Sequence, residues 1–430
     1  MQGYKLISFG MKNFGPFAEE FKFTTSVDCA KKDGLEENTY VDENNRRYNK
    51  VSYVYGANGA GKSNFCKAIL QFQRFLMLSP LLASNNPQLF ELTSMKNQTF
   101  NLNNPFLFDK DYINKETCFS IEILVKNTLY NYSFSTLDGK ILSEKLCKKN
   151  KRNEVILERT SPHNNSIMLK SELKDFEQHI SVVKENVLCL SMAAFLNIKL
   201  ADEIMNAIQS IKVINMAMVN NFHGDEENCT PEKMAKYLKI LKIADPTLKS
   251  VKVLFDEKQE ETKKIDVADI EGKELVFKKV KVDITSTHTI YNNGVIEESE
   301  ALPFLEIESM GTIKLFSILP VIFEKLSSGC TLVIDEIDNG LHPKLIKNII
   351  KLFYDSNPYS AELIVTTHSK ELIEKDIRRD QVWIISKDEK GISSIKRVSD
   401  IPGIRAYEEK GAKYLKDAFD DDKFILNIHN

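Results

Sequence analysis

No C-x-x-C pair occurs among the seven cysteines, Cys29, Cys66, Cys118, Cys147, Cys189, Cys229 and Cys330, and their number is odd. A zinc site or a disulfide framework is therefore not expected, and reduced thiols fit better. Long apolar runs are also missing. None reaches the roughly 18 residues of a membrane span, and the opening MQGYKLISFGMKNFG lacks a signal-peptide core. The expectation is a cytoplasmic chain with no membrane partner. Nor is there an excess of positive charge: 58 Lys and Arg stand against 61 Asp and Glu, a net charge of -3. That argues against a general nucleic-acid coat while leaving room for a local basic groove. There is no internal repeat, no low-complexity tract and no heptad run long enough for a coiled-coil arm. What is present is ordinary for a globular protein, 42% hydrophobic and 28% charged over 430 residues. That length suits two packed units, or one large domain with an insertion.

One segment is far from ordinary. Residues 51–70 read VSYVYGANGAGKSNFCKAIL, an apolar β-rich run, a glycine-rich loop and the start of an amphipathic helix. Gly56, Gly61, Lys62 and Ser63 fill every fixed position of G-x-x-x-x-G-K-[ST]. In such a loop the glycines let backbone N–H groups turn inward around phosphate oxygens, and the helix N-terminus adds its dipole. Lys62 reaches the β- and γ-phosphates, and the Ser63 hydroxyl ligates Mg²⁺. Gly56, Asn58, Gly59, Gly61, Lys62, Ser63 and Asn64 are thus the expected nucleotide-binding set, for a nucleoside triphosphate with Mg²⁺.

The rest of the chain frames that loop. Residues 4–25 alternate as a hairpin broken at Gly10 and Gly15-Pro16, and the polar stretch 28–49 reads as a loop. Two strands over 117–136 meet at Lys126-Asn127, and a third follows Asp138-Gly139. Residues 147–245, rich in Lys, Glu and Asn, read as a mainly helical insertion. It separates an N-terminal lobe (1–146) from a C-terminal lobe (246–400), which is followed by a tail (401–430). Strands are expected near 250–255 and 274–291. Beyond 309, helices alternate with strands at 331–334, 362–366 and 381–385, which implies parallel pairing.

Three features of the C-terminal lobe carry chemistry. The run Thr331-Leu332-Val333-Ile334 is a buried strand ending in Asp335-Glu336, at the end that faces the ligand crevice of a parallel sheet. Asp335 is placed to hold the Mg²⁺ shell, and Glu336 to orient the attacking water. His368 ends the strand AELIVTTHS, where it can meet a γ-phosphate. Glu308-Ser309-Met310-Gly311-Thr312 opens a helix whose N-terminus is a second phosphate cap. Ser309 and Gly311 are expected to close over a nucleotide held by another copy.

Taken together, the P-loop, "ESMGTIKLFSILP", "LVIDEIDNGLHP", "IVTTHS" and "QVWIISKDEKG" resemble the AAA_15/AAA_21 group of ABC-type ATPases, related to SMC, RecF and OLD heads. The opening "MKNFGPFAEEFKF" is similar to that group's first strands. The resemblance spans about 1–136 and 245–400. It implies an α/β P-loop fold of ABC-ATPase head type, with a mixed β-sheet, flanking helices and a partly helical insertion. It further implies hydrolysis of ATP to ADP and phosphate, with Glu336, His368 and Lys62 catalytic and Ser63 and Asp335 on the metal. An ATP-sandwich dimer or higher oligomer is the expected assembly. Many members of the group serve bacterial anti-phage or abortive-infection systems, among them Septu-, PARIS- and retron-associated ATPases. A separate nuclease or toxin effector, and a phage protein or nucleic acid as trigger, are thus implied partners. A RecF/SMC-like DNA-repair ATPase that binds DNA directly is the alternative. Transporter heads carry Leu-Ser-Gly-Gly-Gln where this chain keeps only Ser309 and Gly311, and they lack its Leu341-His342-Pro343, so transport is disfavoured.

Other features read blandly. Gln88 and Gln98 are candidates for the Q-loop position. Lys12 and Asn13 are candidate nucleotide contacts. Lys148-Lys149-Asn150-Lys151-Arg152 and Asp420-Asp421-Asp422 read as solvated charge, and His342-Pro343 as a helix start. After His368 no intact Toprim or His-Asn-His pattern follows, so the chain is not expected to cut nucleic acid itself.

Overall fold

The computed structural model describes residues 3–28, 35–83, 104–149, 153–163, 166–219, 222, 224–266, 274–372 and 377–401. Two large sheets dominate these residues. The first is antiparallel: β1 (Lys5–Lys12), β2 (Phe21–Thr24), β6 (Thr117–Val125), β7 (Thr128–Leu137), β8 (Lys140–Lys149), β9 (Asn153–Arg159) and β10 (Ile167–Leu169) lie in the order β10-β9-β8-β7-β6-β1-β2. Its turns explain its register. Lys126 and Asn127 both take positive φ (46° and 67°), as do Asp138 and Gly139 (50° and 76°), the two-residue geometry that matches strand twist. Between β2 and β6 lie a small hairpin, β3 (Thr39–Val41) with β4 (Arg47–Asn49), and the P-loop strand β5 (Val51–Tyr55). The 28–49 stretch expected as loop thus contains two short paired strands.

The second sheet holds the site. β5 sits between β17 (Glu362–Thr367) and β18 (Val382–Lys387), with β16 (Thr331–Asp335), β11 (Lys212–Asn215) and β19 (Ser393–Arg397) completing the order β11-β16-β17-β5-β18-β19. Every pairing is parallel except β18 with β19. Helix α1 (Lys62–Leu78) lies between the two sheets. Its Phe65, Ala68, Ile69, Phe72 and Phe75 join Phe9, Phe119 and Phe134 in one core, as the i, i+3, i+4 spacing predicts. The opposite face of the second sheet is covered by α5 (Met310–Ser328) and α6 (Pro343–Asp355), whose apolar stripes pack on Val51, Tyr53, Leu332 and Leu363. The C-terminal lobe was expected as alternating strands and helices, and the chain is a mixed α/β P-loop fold.

Residues 147–245 do not stand apart from the two lobes as a helical insertion would. β9 and β10 extend the first sheet, and β11 pairs in parallel with β16. α2 (Cys189–Phe195) and α3 (Lys199–Ser210) bury their faces in the same core as α1. Glu144 of β8 fixes α2 by accepting from the backbone N–H groups of Cys189 (2.7 Å) and Leu190 (2.9 Å). Within this stretch Ser171–Val182 forms a 3-10 helix. α4 (Pro231–Ala244) then leads into a long antiparallel ribbon, β12 (Leu248–Asp266) with β13 (Glu274–Asn292); β13 matches the strand expected at 274–291, and β12 runs well beyond the one expected at 250–255. No helix among the described residues is long and apolar enough to cross a membrane. Gln88, Gln98, Asn150–Arg152, Cys29 and Asp420–Asp422 lie outside the described residues. Lys148 and Lys149 are strand residues on β8, paired with Glu172 and Glu122.

The sheets are tied at the edge opposite the P-loop. Lys5 of β1 donates to the carbonyls of Gly329, Ser360 and Tyr359, the last at 3.1 Å. Buried Glu362 accepts from Tyr40 Oη (2.6 Å), Thr331 Oγ1 (2.7 Å) and Thr25 Oγ1 (3.4 Å). Burial pulls the Lys5 ammonium down to about 8, against the opposing pull of Glu362. An unfolded lysine titrates near ~10.4. Between these two values the unfolded chain binds more protons than the folded one, so stability rises with pH there. Between pH 8 and pH 10 the unfolding free energy of wild type relative to Lys5→Met, read from urea melts, is expected to rise by at most about 3 kcal/mol. A midpoint as pH-dependent in Lys5→Met as in wild type would contradict the assignment.

Candidate nucleotide site

The Gly56–Ser63 loop joins β5 to α1 at the C-terminal edge of the parallel sheet. Gly59 (φ 79°) and Gly61 (φ 120°) occupy left-handed backbone conformations that side chains disfavour. At Gly56 a Cβ would lie 2.6 Å from the Ile385 carbonyl oxygen, so β18 presses on the loop. Ser393 clamps it from β19, donating from Oγ to the Ala60 carbonyl at 2.6 Å. Asn58 and Gly59 are exposed at the tip. Lys62 is buried and curls back, its Nζ 2.6 Å from the Gly56 carbonyl and 3.1 Å from that of Ala57. Burial lowers the Lys62 pKa, while the charges of Asp338, Glu336 and Asp335 act in the opposite sense. Asn64 sits beside the Gly15 turn.

Strand register brings the acidic residues to the same edge. Asn215, Asp335, Thr366 and Tyr55 end or nearly end four neighbouring parallel strands. Asp335 is buried; its Oδ1 accepts from Thr366 Oγ1 at 2.6 Å and its Oδ2 from Asn215 Nδ2 at 2.7 Å. Burial raises the Asp335 pKa, and hydrogen bonds from Thr366, Ser63 and the Cys66 thiol counter this. The P-loop serine and the Asp335 carboxylate therefore face each other at this edge. Among the described residues no cluster of three or more His, Cys, Asp or Glu could cage a metal. One hydroxyl plus one carboxylate suits Mg²⁺, which keeps waters and phosphate oxygens as its other ligands.

Glu336 leaves the strand in a left-handed conformation (φ 53°), a local strain typical of functional turns. Its N–H donates to Thr366 Oγ1 at 2.8 Å, and its Oε2 accepts from Asn339 Nδ2 at 3.2 Å. His368 follows β17, its side chain 57% exposed and its Nδ1 3.1 Å from Asp338 Oδ2. Lys62, Ser63, Asp335, Glu336 and His368 thus gather at one sheet edge.

Ser309 and Gly311 belong to a different surface. Ser309 is the N-cap of α5, its Oγ accepting from the Thr312 N–H at 3.1 Å. A Cβ on Gly311 would lie 3.0 Å from the Gly340 carbonyl, and Lys314 Nζ is 2.8 Å from Asn339 Oδ1. This helix start is therefore braced against the loop that follows Glu336.

The sequence reading missed Asn215, Thr366, Cys66 and Asp338; Thr366, Cys66 and Asp338 lay within quoted segments but were given no role, and Asn215 lay outside them. Asn13 is corrected. Its side chain is fully used by the chain, donating to the Tyr112 (2.9 Å) and Lys115 (3.0 Å) carbonyls and accepting from the Phe106 N–H (2.9 Å). Lys12 makes no contact that links it to the loop. His342 is the N-cap of α6 ahead of Pro343.

Residues 223–374, about a third of the chain, match the family model described as "AAA domain, putative AbiEii toxin, Type IV TA system", AAA_21. No curated protein matches the sequence. Among solved structures, an SMC head bound to the C-terminal winged-helix domain of ScpA aligns at 13% identity and TM-score 0.44, over 91% of this chain and 97% of that one. The SMC head domain of Thermotoga maritima aligns at 13% identity and TM-score 0.39, over 91% and 98%. The Pyrococcus furiosus Smc head with an extended coiled coil, bound to the C-terminal domain of ScpA, gives 13% and 0.40, over 96% and 99%. The matched segment runs through Ser309, Asp335, Glu336 and His368, so the C-terminal part of the site is similar to an AAA_21 domain, and the P-loop lies upstream of the match.

Proposed function

We propose that the chain hydrolyses ATP to ADP and phosphate at two composite sites of a head-to-head dimer. Each site takes Lys62, Ser63, Asp335, Glu336 and His368 from one copy and Ser309 and Gly311 from the other. The observation that carries this is the placement of the Lys62-Ser63 P-loop and of Asp335-Glu336 at the same edge of the parallel sheet, a metal position and a water position side by side. Mg²⁺ would be held by Ser63 and Asp335, and it supplies charge neutralisation at the β- and γ-phosphates. Lys62 exchanges the Gly56 and Ala57 carbonyls for phosphate oxygens, and Glu336 orients the attacking water. Such catalysis is mostly positioning and electrostatics. Because half of each site comes from a second copy, specific activity should rise with chain concentration from nanomolar to micromolar and vanish with EDTA. A flat specific activity from a chain that stays monomeric in light scattering would refute the composite site.

ATP-driven closure then acts as a switch on a separate effector, a nuclease or toxin of a bacterial anti-phage system. The family model's own description, a putative toxin of a toxin–antitoxin system, favours this over direct DNA work, as does the acidic net charge. A phage protein or nucleic acid is the proposed trigger, and the cytoplasm the proposed compartment. Co-purification of a partner from its native host supports the switch. Tight duplex-DNA binding that weakens steeply with salt would instead favour the RecF/SMC-like alternative.

A further inference from the structure

We propose that Asp338 is the positioning residue of His368, holding its ring so that Nε2 is the nitrogen presented to the nucleotide. This rests on the reading above, in which His368 meets the γ-phosphate. Two donors bond one carboxylate oxygen, Thr367 Oγ1 at 2.8 Å and the His368 backbone N–H at 3.0 Å, and His368 Nδ1 lies 3.1 Å from the same atom. A carboxylate on one imidazole nitrogen fixes both the tautomer and the ring plane, leaving the other nitrogen to do the chemistry.

The two side chains differ in how they are held. The His368 ring is more than half exposed, so packing cannot set its direction, whereas the Asp338 side chain is only 7% exposed. Asp338 lies on the loop between Glu336 and Gly340 that braces the start of α5. The imidazole is therefore tied to the same loop as the Glu336 carboxylate. The second oxygen of Asp338 is buried and has no hydrogen-bond partner among the described residues. A buried acceptor without a donor is unfavourable, so this carboxylate is poorly explained by folding alone.

A double-mutant cycle tests this. Asp338→Ala should lower kcat by about 10- to 100-fold, the range for losing a partner that orients a functional histidine, with KM for ATP changed less than about threefold. Because Asp338 acts through His368, the pair Asp338→Ala/His368→Ala should be no slower than His368→Ala alone. Asp338→Asn, nearly the same size, serves if Asp338→Ala does not fold, and the same non-additivity is expected of it. Losses that multiply, or wild-type kcat in both Asp338 variants beside a crippled His368→Ala, would overturn the positioning role. Wild-type turnover in His368→Ala would instead overturn the γ-phosphate role on which it rests.

Discussion

Glu336→Gln is expected to bind ATP normally and to release phosphate at least about a hundredfold more slowly than wild type, the lower end of what a positioned acid or base contributes. The change is nearly isosteric. Glutamine keeps an oxygen for the Asn339 amide, now 3.2 Å from Oε2, and the backbone tie to Thr366 does not involve the side chain. What is lost is the negative charge that orients and polarises water. Binding and closure should therefore persist while the reaction stalls, and ATP-bound dimers should accumulate in light scattering. Phosphate release at the wild-type rate would show that the base lies elsewhere.

Ser309→Arg is expected to cut turnover about 10²- to 10³-fold, the range for removing a donor from a developing oxyanion, with nucleotide affinity of the monomer unchanged. Ser309 caps α5 through the Thr312 N–H, and Met310 beside it is exposed. An arginine there removes the cap, a loss of about 1 kcal/mol, and stands a long cation where a phosphate would dock. Ser309→Ala separates the two effects, since it loses the cap without adding bulk. Nucleotide binding is read on the isolated chain at low concentration, and assembly by light scattering with ATP. Undiminished ATP-dependent dimerisation of Ser309→Arg would end the idea of a site shared between copies.

The local motifs were legible because their logic is short-range. The P-loop needs a strand, a turn and a helix within 28 consecutive residues, Val51 to Leu78, and all three stand where the sequence placed them. Thr331–Asp335 reads as a buried strand from composition alone, and His342-Pro343 as a helix start. Partners set by strand pairing were not legible. Asn215 closes a short strand, KVIN, whose meaning comes only from lying beside Asp335 in parallel register. Thr366 gains its role by supplying one hydroxyl to both Asp335 and Glu336. The polar surface of 147–245 hid β9, β10 and β11, because edge strands and half-buried helices carry many charged residues yet still bury one face. Asn13 was mistaken for a ligand contact for a related reason: a polar side chain in a glycine-rich turn binds its own backbone as readily as a phosphate.

The central position of β5 has a consequence for biosynthesis. Its neighbours arrive last: Gln381 hydrogen-bonds the Val51 carbonyl across 330 residues of sequence, and both β17 and β18 lie beyond Asp335. The P-loop strand therefore leaves the ribosome with neither edge covered and waits for about 300 further residues to be translated. Pairings this distant slow folding and leave strand edges open to aggregation. No nascent fragment that stops short of β17 can hold a nucleotide in this geometry, so the site becomes competent only once β17 and β18 have been translated.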